Sequence, residues 1–545
     1  MRAILGVALL ASFLFLFRLG STGIIYPSNE PRRMLLAKDM VNEHHWVVPH
    51  LLGKPYIHKP PMLIWLLASS YRIIGRTDLW STRVPTALVG ILGVVVTALF
   101  GRALFGREVG IASGLILATS PLWIERARLA EEDVVLALWV VLALYAFWLG
   151  WREGKGKLYL AFYFFMACGC MTKLASGLIF PGLAVTAFLL GRRELRAFLR
   201  MKPLWGLLIL CGLVLPWYLY AYHLVGFGRA EGILLEDTWY KVFPTHGGKP
   251  PYHYLLSTFP YFLPWSLFLP AAAVFFWQER KKLDDRGWFL LAWIVPNLLF
   301  FSLAGAKRDE YILPLYPALA ISVAFLWREF LRGRGSALFK RVFALGCKVF
   351  TSLVILGAIG LLSSGPFLRS LPLARSPGGL KPLLLGGGLM LCGLWAFLGV
   401  RRGNYRSLFP SLVTVGVLLF LVHNLYITPA FLWYKTPHPF CDRAKEVLQG
   451  RVPYLFRGGG LYLQNEWDGR LQDISLAELK ERLLRGEQIY LLTEGRGIEI
   501  LEREGIPFQL LLQQKPFLKR RWDIALVRVK GYNNNEESED GSKTD

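Results

Sequence analysis

The chain has 545 residues, 54% of them hydrophobic and only 18% charged, with a formal net charge of +24. Soluble domains carry roughly 25% charged residues, so this balance excludes an ordinary soluble enzyme and marks a polytopic membrane protein. The excess Lys and Arg sit at the edges of apolar segments, where anionic headgroups and the retention of basic loops in the cytoplasm account for most of the charge without nucleic acid.

In chain order, apolar stretches long enough to approach a ~30 Å hydrocarbon core lie near residues 4–19, 84–104, 110–124, 134–151, 158–171, 176–190, 205–223, 254–277, 288–304, 311–327, 342–362, 383–398 and 408–425. About thirteen spans are therefore expected. The loops near Arg102 and Arg107, Arg152 to Lys157, Arg192 to Lys202, Arg280 to Arg286, Arg328 to Arg341 and Arg401 to Arg406 are the basic ones, together with Met1-Arg2. These define the cytoplasmic side, and leave the loop 20–80, the segment Glu125 to Asp133, the stretch 224–253, the turn Lys307 to Glu310 and everything after the last span outside. The parity needs the first segment retained, not cleaved as a signal peptide. Five of six cysteines fall in apolar segments and Cys441 stands alone, which implies neither a disulfide framework nor a cysteine metal site.

From about Pro429 the texture changes to that of a small α/β domain over 429–531. Ser475-x-x-Glu478 is a capping box opening a helix that closes at Gly486, Ile489 to Leu492 reads as a strand, Gly497 to Glu504 as a helix, and Phe508 to Leu512 and Ile524 to Val529 as strands. Residues 532–545 form an acidic polar tail expected to be disordered. The transmembrane domain is expected to cover 1–428, with interfacial helices in the loop 20–80.

Ionisable side chains gather at four places on the outer face, and charge at a membrane is costly enough to mark function. Asn29-Glu30-Pro31-Arg32-Arg33 opens a helical pattern to Asn42, where Glu30 is either a helix-start acid or a catalytic group. Lys59, in His58-Lys59-Pro60-Pro61, is held in extended backbone as a fixed cation for a phosphate, or reaches toward headgroups. Arg126-Ala127-Arg128 precedes Glu131-Glu132-Asp133, with Asp133 deepest. Lys307-Arg308-Asp309-Glu310-Tyr311 leads into Ile312-Leu313-Pro314-Leu315-Tyr316-Pro317, a cationic and aromatic membrane entrance. The cations suit a phosphate leaving group; the acids suit activation of an acceptor or stabilisation of an oxocarbenium-like sugar centre.

These motifs resemble the C-type integral-membrane glycosyltransferases that use polyprenyl-phosphate sugars, in the branch of the lipid A aminoarabinose transferases and the protein O-mannosyltransferases. The resemblance is carried by Asn29 to Arg33, by Trp46-Val47-Val48-Pro49, by Lys59-Pro60-Pro61, by Asp133 following Arg128, by Tyr311 to Pro317 and by His246 before Pro250-Pro251-Tyr252, over nearly the whole chain. Two positions depart from the family pattern: Asn29 replaces an aspartate and so cannot take up a proton, and His58 stands where an acid precedes the lysine.

The resemblance implies a GT-C fold with an extracytoplasmic C-terminal domain, in a monomer of the bacterial inner membrane working on its periplasmic side. It implies an inverting transfer of aminoarabinose or a related sugar from a polyprenyl-phosphate donor to lipid A, a glycan or a protein. Asp133, Glu30 and Asn29 would be the catalytic group, and Lys59, Arg32, Arg128, Lys307, Arg308 and Tyr311 would hold the donor. A divalent metal, zinc or magnesium or manganese, would sit between His58 and His246 if one is bound. The rival class is a transporter or lipid flippase, against which the charges crowd one face and the spans lack an inverted repeat.

Overall fold

The computed structural model describes residues 2–21, 23, 29–228, 231–232, 248–370, 380–429, 436–457, 460–514 and 524–530. His246 and the tail 532–545 lie outside them. The chain divides into two compact units: one of residues 1–21, 36–371 and 376–427, the other of 22–35, 372–375 and 428–545.

The first unit is helical. It opens with α1 (Arg2–Leu16). Helix α2 (Glu30–Asn42) begins in the second unit's segment and ends in the first, followed by a hairpin of β1 (His50–Leu51) and β2 (Lys54–Pro55). Then come α3 (Met62–Ile74), α4 (Leu79–Phe105), α5 (Arg107–Ala118), the short α6 (Pro121–Ala127), α7 (Glu132–Glu153), α8 (Gly156–Cys170) and α9 (Leu174–Gly191). Among the described residues nine helices are long and apolar enough to cross a membrane, and α1, α3, α8 and Trp265–Gln278 are shorter apolar helices.

Two expected spans differ in form. Residues 110–124 divide into α5 and α6 at Thr119-Ser120, whose side chains turn back onto carbonyls of the preceding helical turn. Residues 254–277 break into His253–Tyr261, a 3-10 turn Trp265–Phe268 and Leu269–Gln278, because Pro260, Pro264 and Pro270 each remove a backbone donor.

Helices in this unit approach one another over small residues, as membrane packing without a hydrophobic driving force requires. The tightest approach is α8 against α9, where a Cβ on Gly177 would lie 2.3 Å from the backbone of both Gly169 and Cys170. The core between the helices is aromatic: Phe147, Phe188, Phe289 and Trp148 are buried and in ring contact, Phe147 and Phe289 stacked with centroids 6.0 Å apart.

The second unit contains a four-stranded sheet of order β3-β4-β6-β5, from β3 (Tyr454–Phe456), β4 (Ile489–Glu494), β5 (Phe508–Gln514) and β6 (Ile524–Val529). β3 runs parallel to β4, and the other pairs are antiparallel. The Ser475 cap forms, its hydroxyl accepting from the Glu478 N–H at 3.1 Å at the head of Leu476–Leu484. The sheet buries Leu491, Leu492, Ala525, Leu526, Val527 and Val529.

Candidate active site

Three helical segments begin at one place in the first unit. Glu131 caps α7, with Glu132 and Asp133 in its first turn; Lys173 precedes α9; and the 3-10 turn Asp309–Leu315 leads into the helix Tyr316–Leu331. Helix α7 packs against both α9 and that turn. Amide N–H groups at a helix start favour negative charge, so the cap position and first turn of α7 together can carry three acids in succession.

Three of the buried acids, Asp133, Glu131 and Glu310, each meet a cation. An Asp133 Oδ1 accepts from Lys173 Nζ at 2.5 Å, and that ammonium lies 5.2 Å from the centroid of the Tyr311 ring. Glu131 Oε2 accepts from Arg126 Nη1 at 2.6 Å, while Arg126 Nη2 donates to Glu125 at 2.9 Å. Glu310 Oε1 pairs with Arg308 Nε at 2.6 Å. Carboxylate oxygens of Glu131, Asp133 and Glu310 come within 4.8 Å of one another, and all three residues are buried. Burial pushes the Glu131 carboxyl above its ordinary range, with Asp133, Glu132 and Glu310 adding to the rise and Arg126 opposing it. The spacing of the three acids would suit a metal, but Arg126, Lys173 and Arg308 already balance their charge, so the cluster does not require one.

The expected cations separate into two kinds. Arg308 stands at the rim, its side chain 51% exposed. Lys59 is half-buried, and the stretch it opens is tied to the Lys173 turn because the Met62 N–H donates to the Met171 carbonyl at 3.2 Å. Arg128, by contrast, faces α1: one guanidinium nitrogen donates to the carbonyls of Leu14, Phe15 and Phe17 at 2.9–3.1 Å and the other to Asn424 Oδ1 at 3.0 Å. Lys307 Nζ donates to the Lys249 carbonyl at 2.8 Å and to that of Ala304. Both cations expected at the donor phosphate therefore donate to acceptors of the protein itself, Arg128 to three carbonyls and the Asn424 side chain and Lys307 to two carbonyls.

Asn29, Glu30 and Arg32 lie at the start of α2, in the segment that belongs to the second unit. Glu30 is fully buried, Arg32 is half-buried, and the Asn29 carbonyl accepts from the Arg33 N–H at 3.2 Å. His58 is exposed beside the Tyr56 ring, centroids 5.4 Å apart, and its expected partner His246 lies outside the described residues. Sequence reasoning passed over Lys173, although it is the one charged residue in the turn from Met171 to Ala175 between two apolar segments. Arg126, Glu131 and Glu310 were within stretches singled out but were given no role.

Residues 58–232, which include Lys59, Arg126, Asp133 and Lys173, match the family model described as dolichyl-phosphate-mannose-protein mannosyltransferase. An undecaprenyl phosphate-alpha-4-amino-4-deoxy-L-arabinose arabinosyl transferase of Pseudomonas savastanoi pv. phaseolicola is 28% identical over 485 residues, 86% of this chain and 87% of that protein. One from Sodalis glossinidius, numbered 1, is 26% identical over 523 residues, 92% and 88% of the two chains. Among solved structures, ArnT from Cupriavidus metallidurans bound to undecaprenyl phosphate aligns over 96% of this chain and 97% of that one, with a TM-score of 0.73 at 19% identity. The chain is thus similar to the polyprenyl-phosphate-sugar-dependent C-type integral-membrane glycosyltransferases. It is a multi-pass membrane glycosyltransferase with the GT-C fold.

Proposed function

We propose that the chain is an inverting glycosyltransferase that moves 4-amino-4-deoxy-L-arabinose, or a related pentose or hexose, from undecaprenyl phosphate or a similar polyprenyl phosphate to lipid A or another envelope acceptor. The observation that carries this reading is the ion pair of buried Asp133 with half-buried Lys173 beside Tyr311, with Arg308 and the Lys59 stretch at its edges. The relatives named as undecaprenyl-phosphate-aminoarabinose transferases support the donor class.

In the transfer, an acceptor oxygen attacks the anomeric carbon as the bond from that carbon to the phosphate oxygen breaks, and the electron pair leaves with the phosphate. Fixed cations at Lys59 and Arg308 stabilise that leaving charge. The carboxylate of Asp133, oriented by Lys173, faces the positive charge that develops on the sugar and takes the proton when the acceptor is a hydroxyl; a phosphate acceptor transfers none. The enzyme acts as a monomer of the bacterial inner membrane with this site periplasmic, a reading supported by the basic residues Arg152 and Lys155 at the opposite end of α7. A protein acceptor is the second reading, favoured by the mannosyltransferase model that matches residues 58–232.

Mass spectrometry of lipid A and envelope glycoproteins from cells lacking the gene, complemented with the intact chain or with Asp133→Asn, tests the proposal. The expected result is a pentose or hexose on lipid A that only the intact chain restores. Sugar on protein alone would establish the second reading. No glycan difference would overturn both and favour transport.

A further inference from the structure

The outer loop after α2 contains a group that the transfer chemistry does not use. Asp39, His45 and His50 each bring a donor atom within 4.8 Å of the other two. His45 Nδ1 lies 2.8 Å from Asp39 Oδ2, and the two imidazole rings are stacked with centroids 3.8 Å apart and an interplanar angle of 28°. His50 Nδ1 is 3.0 Å from the Val48 carbonyl, an atom that can only accept. That nitrogen therefore carries the hydrogen and leaves Nε2 with a lone pair, the tautomer that a metal ligand needs.

The loop holding these groups is rigid for physical reasons. Two indoles pin consecutive carbonyls: Trp65 Nε1 donates to Trp46 at 2.7 Å and Trp217 Nε1 to Val47 at 2.8 Å. The Tyr56 N–H closes on the Pro49 carbonyl at 2.8 Å below the β1–β2 hairpin, and Val48 and Ile57 are buried against Met171, Trp217 and Ala221. His44 occupies the left-handed region at φ 61°, a conformation that a residue other than glycine keeps only when its surroundings fix it. Two imidazoles and one carboxylate are thus gathered on a loop whose backbone is fixed from both sides.

We propose that Asp39, His45 and His50 form a divalent transition-metal site of the zinc class that ties the end of α2 to the β1–β2 hairpin. Two nitrogens and a carboxylate oxygen suit zinc, whose bonds of about 2.0–2.2 Å need donors roughly 3.4 Å apart, and the three donor atoms here already lie within 4.8 Å of one another. The site uses neither His58 nor His246 and stands independently of the transferase reading.

The test is metal binding by the purified full chain in detergent, titrated with zinc against a chromophoric chelator and with cobalt for its visible spectrum. The intact chain is expected to take up one zinc tightly and to give a nitrogen- and oxygen-ligated cobalt spectrum. His45→Ala and His50→Ala are expected to weaken zinc at least tenfold, and Asp39→Asn to weaken it less. His50→Asn keeps a donor toward the Val48 carbonyl while removing Nε2, so it separates loss of a ligand from loss of the loop; it is expected to behave as His50→Ala with an unchanged melting temperature in the absence of metal. Equal zinc affinity in the intact chain and in His50→Asn, or a loss of affinity confined to His58→Ala, would overturn the proposal.

Discussion

Two arginines two residues apart, Arg126 and Arg128, serve two regions that differ in kind. Arg126 lies among carboxylates at the start of α7, with Glu131, Asp133 and Glu310 close together and each matched by a cation. Arg128 lies among carbonyls at the end of α1, where it satisfies acceptors that the helix leaves open. A cation on carbonyls closes a helix end and has no charge partner that a substrate could replace. A cation on a carboxylate holds an ion pair that an incoming phosphate or developing sugar charge can rearrange, which is why one region suits chemistry and the other architecture.

The sharpest way to break this comparison is at Asp133 and Lys173. Asp133→Asn is expected to lower transfer in membranes by about 10²–10⁴-fold, the usual weight of a general base, with the protein still folded. Lys173→Met leaves the Asp133 carboxylate buried without its cation and is expected to cost about 3–5 kcal/mol locally, seen as a similar loss of turnover and recovered in part by Lys173→Arg. If turnover instead fell only with Arg128, the assignment of the two regions would be reversed.

Arg128→Ala should do the opposite: destabilise the folded chain by about 3 kcal/mol, through charge-assisted bonds lost to buried carbonyls, while the KM for donor stays unchanged per folded molecule. Thermal unfolding in detergent together with single-turnover transfer checks both halves. Gly177→Val puts a side chain against backbone atoms that cannot yield and should cost about 1–3 kcal/mol or more. It sits one turn after Lys173, so some turnover is expected to fall with it.

The smallest effect belongs to the second unit. His438 Nδ1 lies 3.0 Å from Glu466 Oε2, and that hydrogen bond raises the imidazole above its ordinary 6.5. Folding therefore favours the protonated ring: its contribution is full below pH 6.5 and fades as pH rises through the raised value. With the His438 side chain 53% exposed, solvent screening holds this below about 1 kcal/mol. A small fall in melting temperature between pH 6 and 8, absent in His438→Gln, is the expected observation.

Much of this was legible in the chain. Glu30 to Asn42 is helical as its pattern requires, the Ser475 cap sits where the capping box places it, and strands form at Ile489, Phe508 and Ile524. The strand Tyr454–Phe456 escaped notice because three residues carry no usable alternation and its partner, β4, lies more than thirty residues on. Asp133 was found by depth in a run of acids, but Lys173 was not, because a single lysine between two apolar segments reads as an interfacial anchor.

By itself the sequence determined the class of protein, its helical apolar segments, the side on which charge gathers and the family motifs, because hydropathy, helix signals and basic-loop bias act through local chain chemistry. Only the tertiary structure decided which cation meets which acid. Arg126 and Arg128 are the same residue in nearly the same place along the chain, and the helices packed around each, α7 for one and α1 for the other, gave one carboxylates and the other carbonyls. Arg126 finds its acids five residues away or fewer, but Lys173 reaches Asp133 across forty residues and Arg128 reaches Leu14 across more than a hundred, separations that no local pattern encodes.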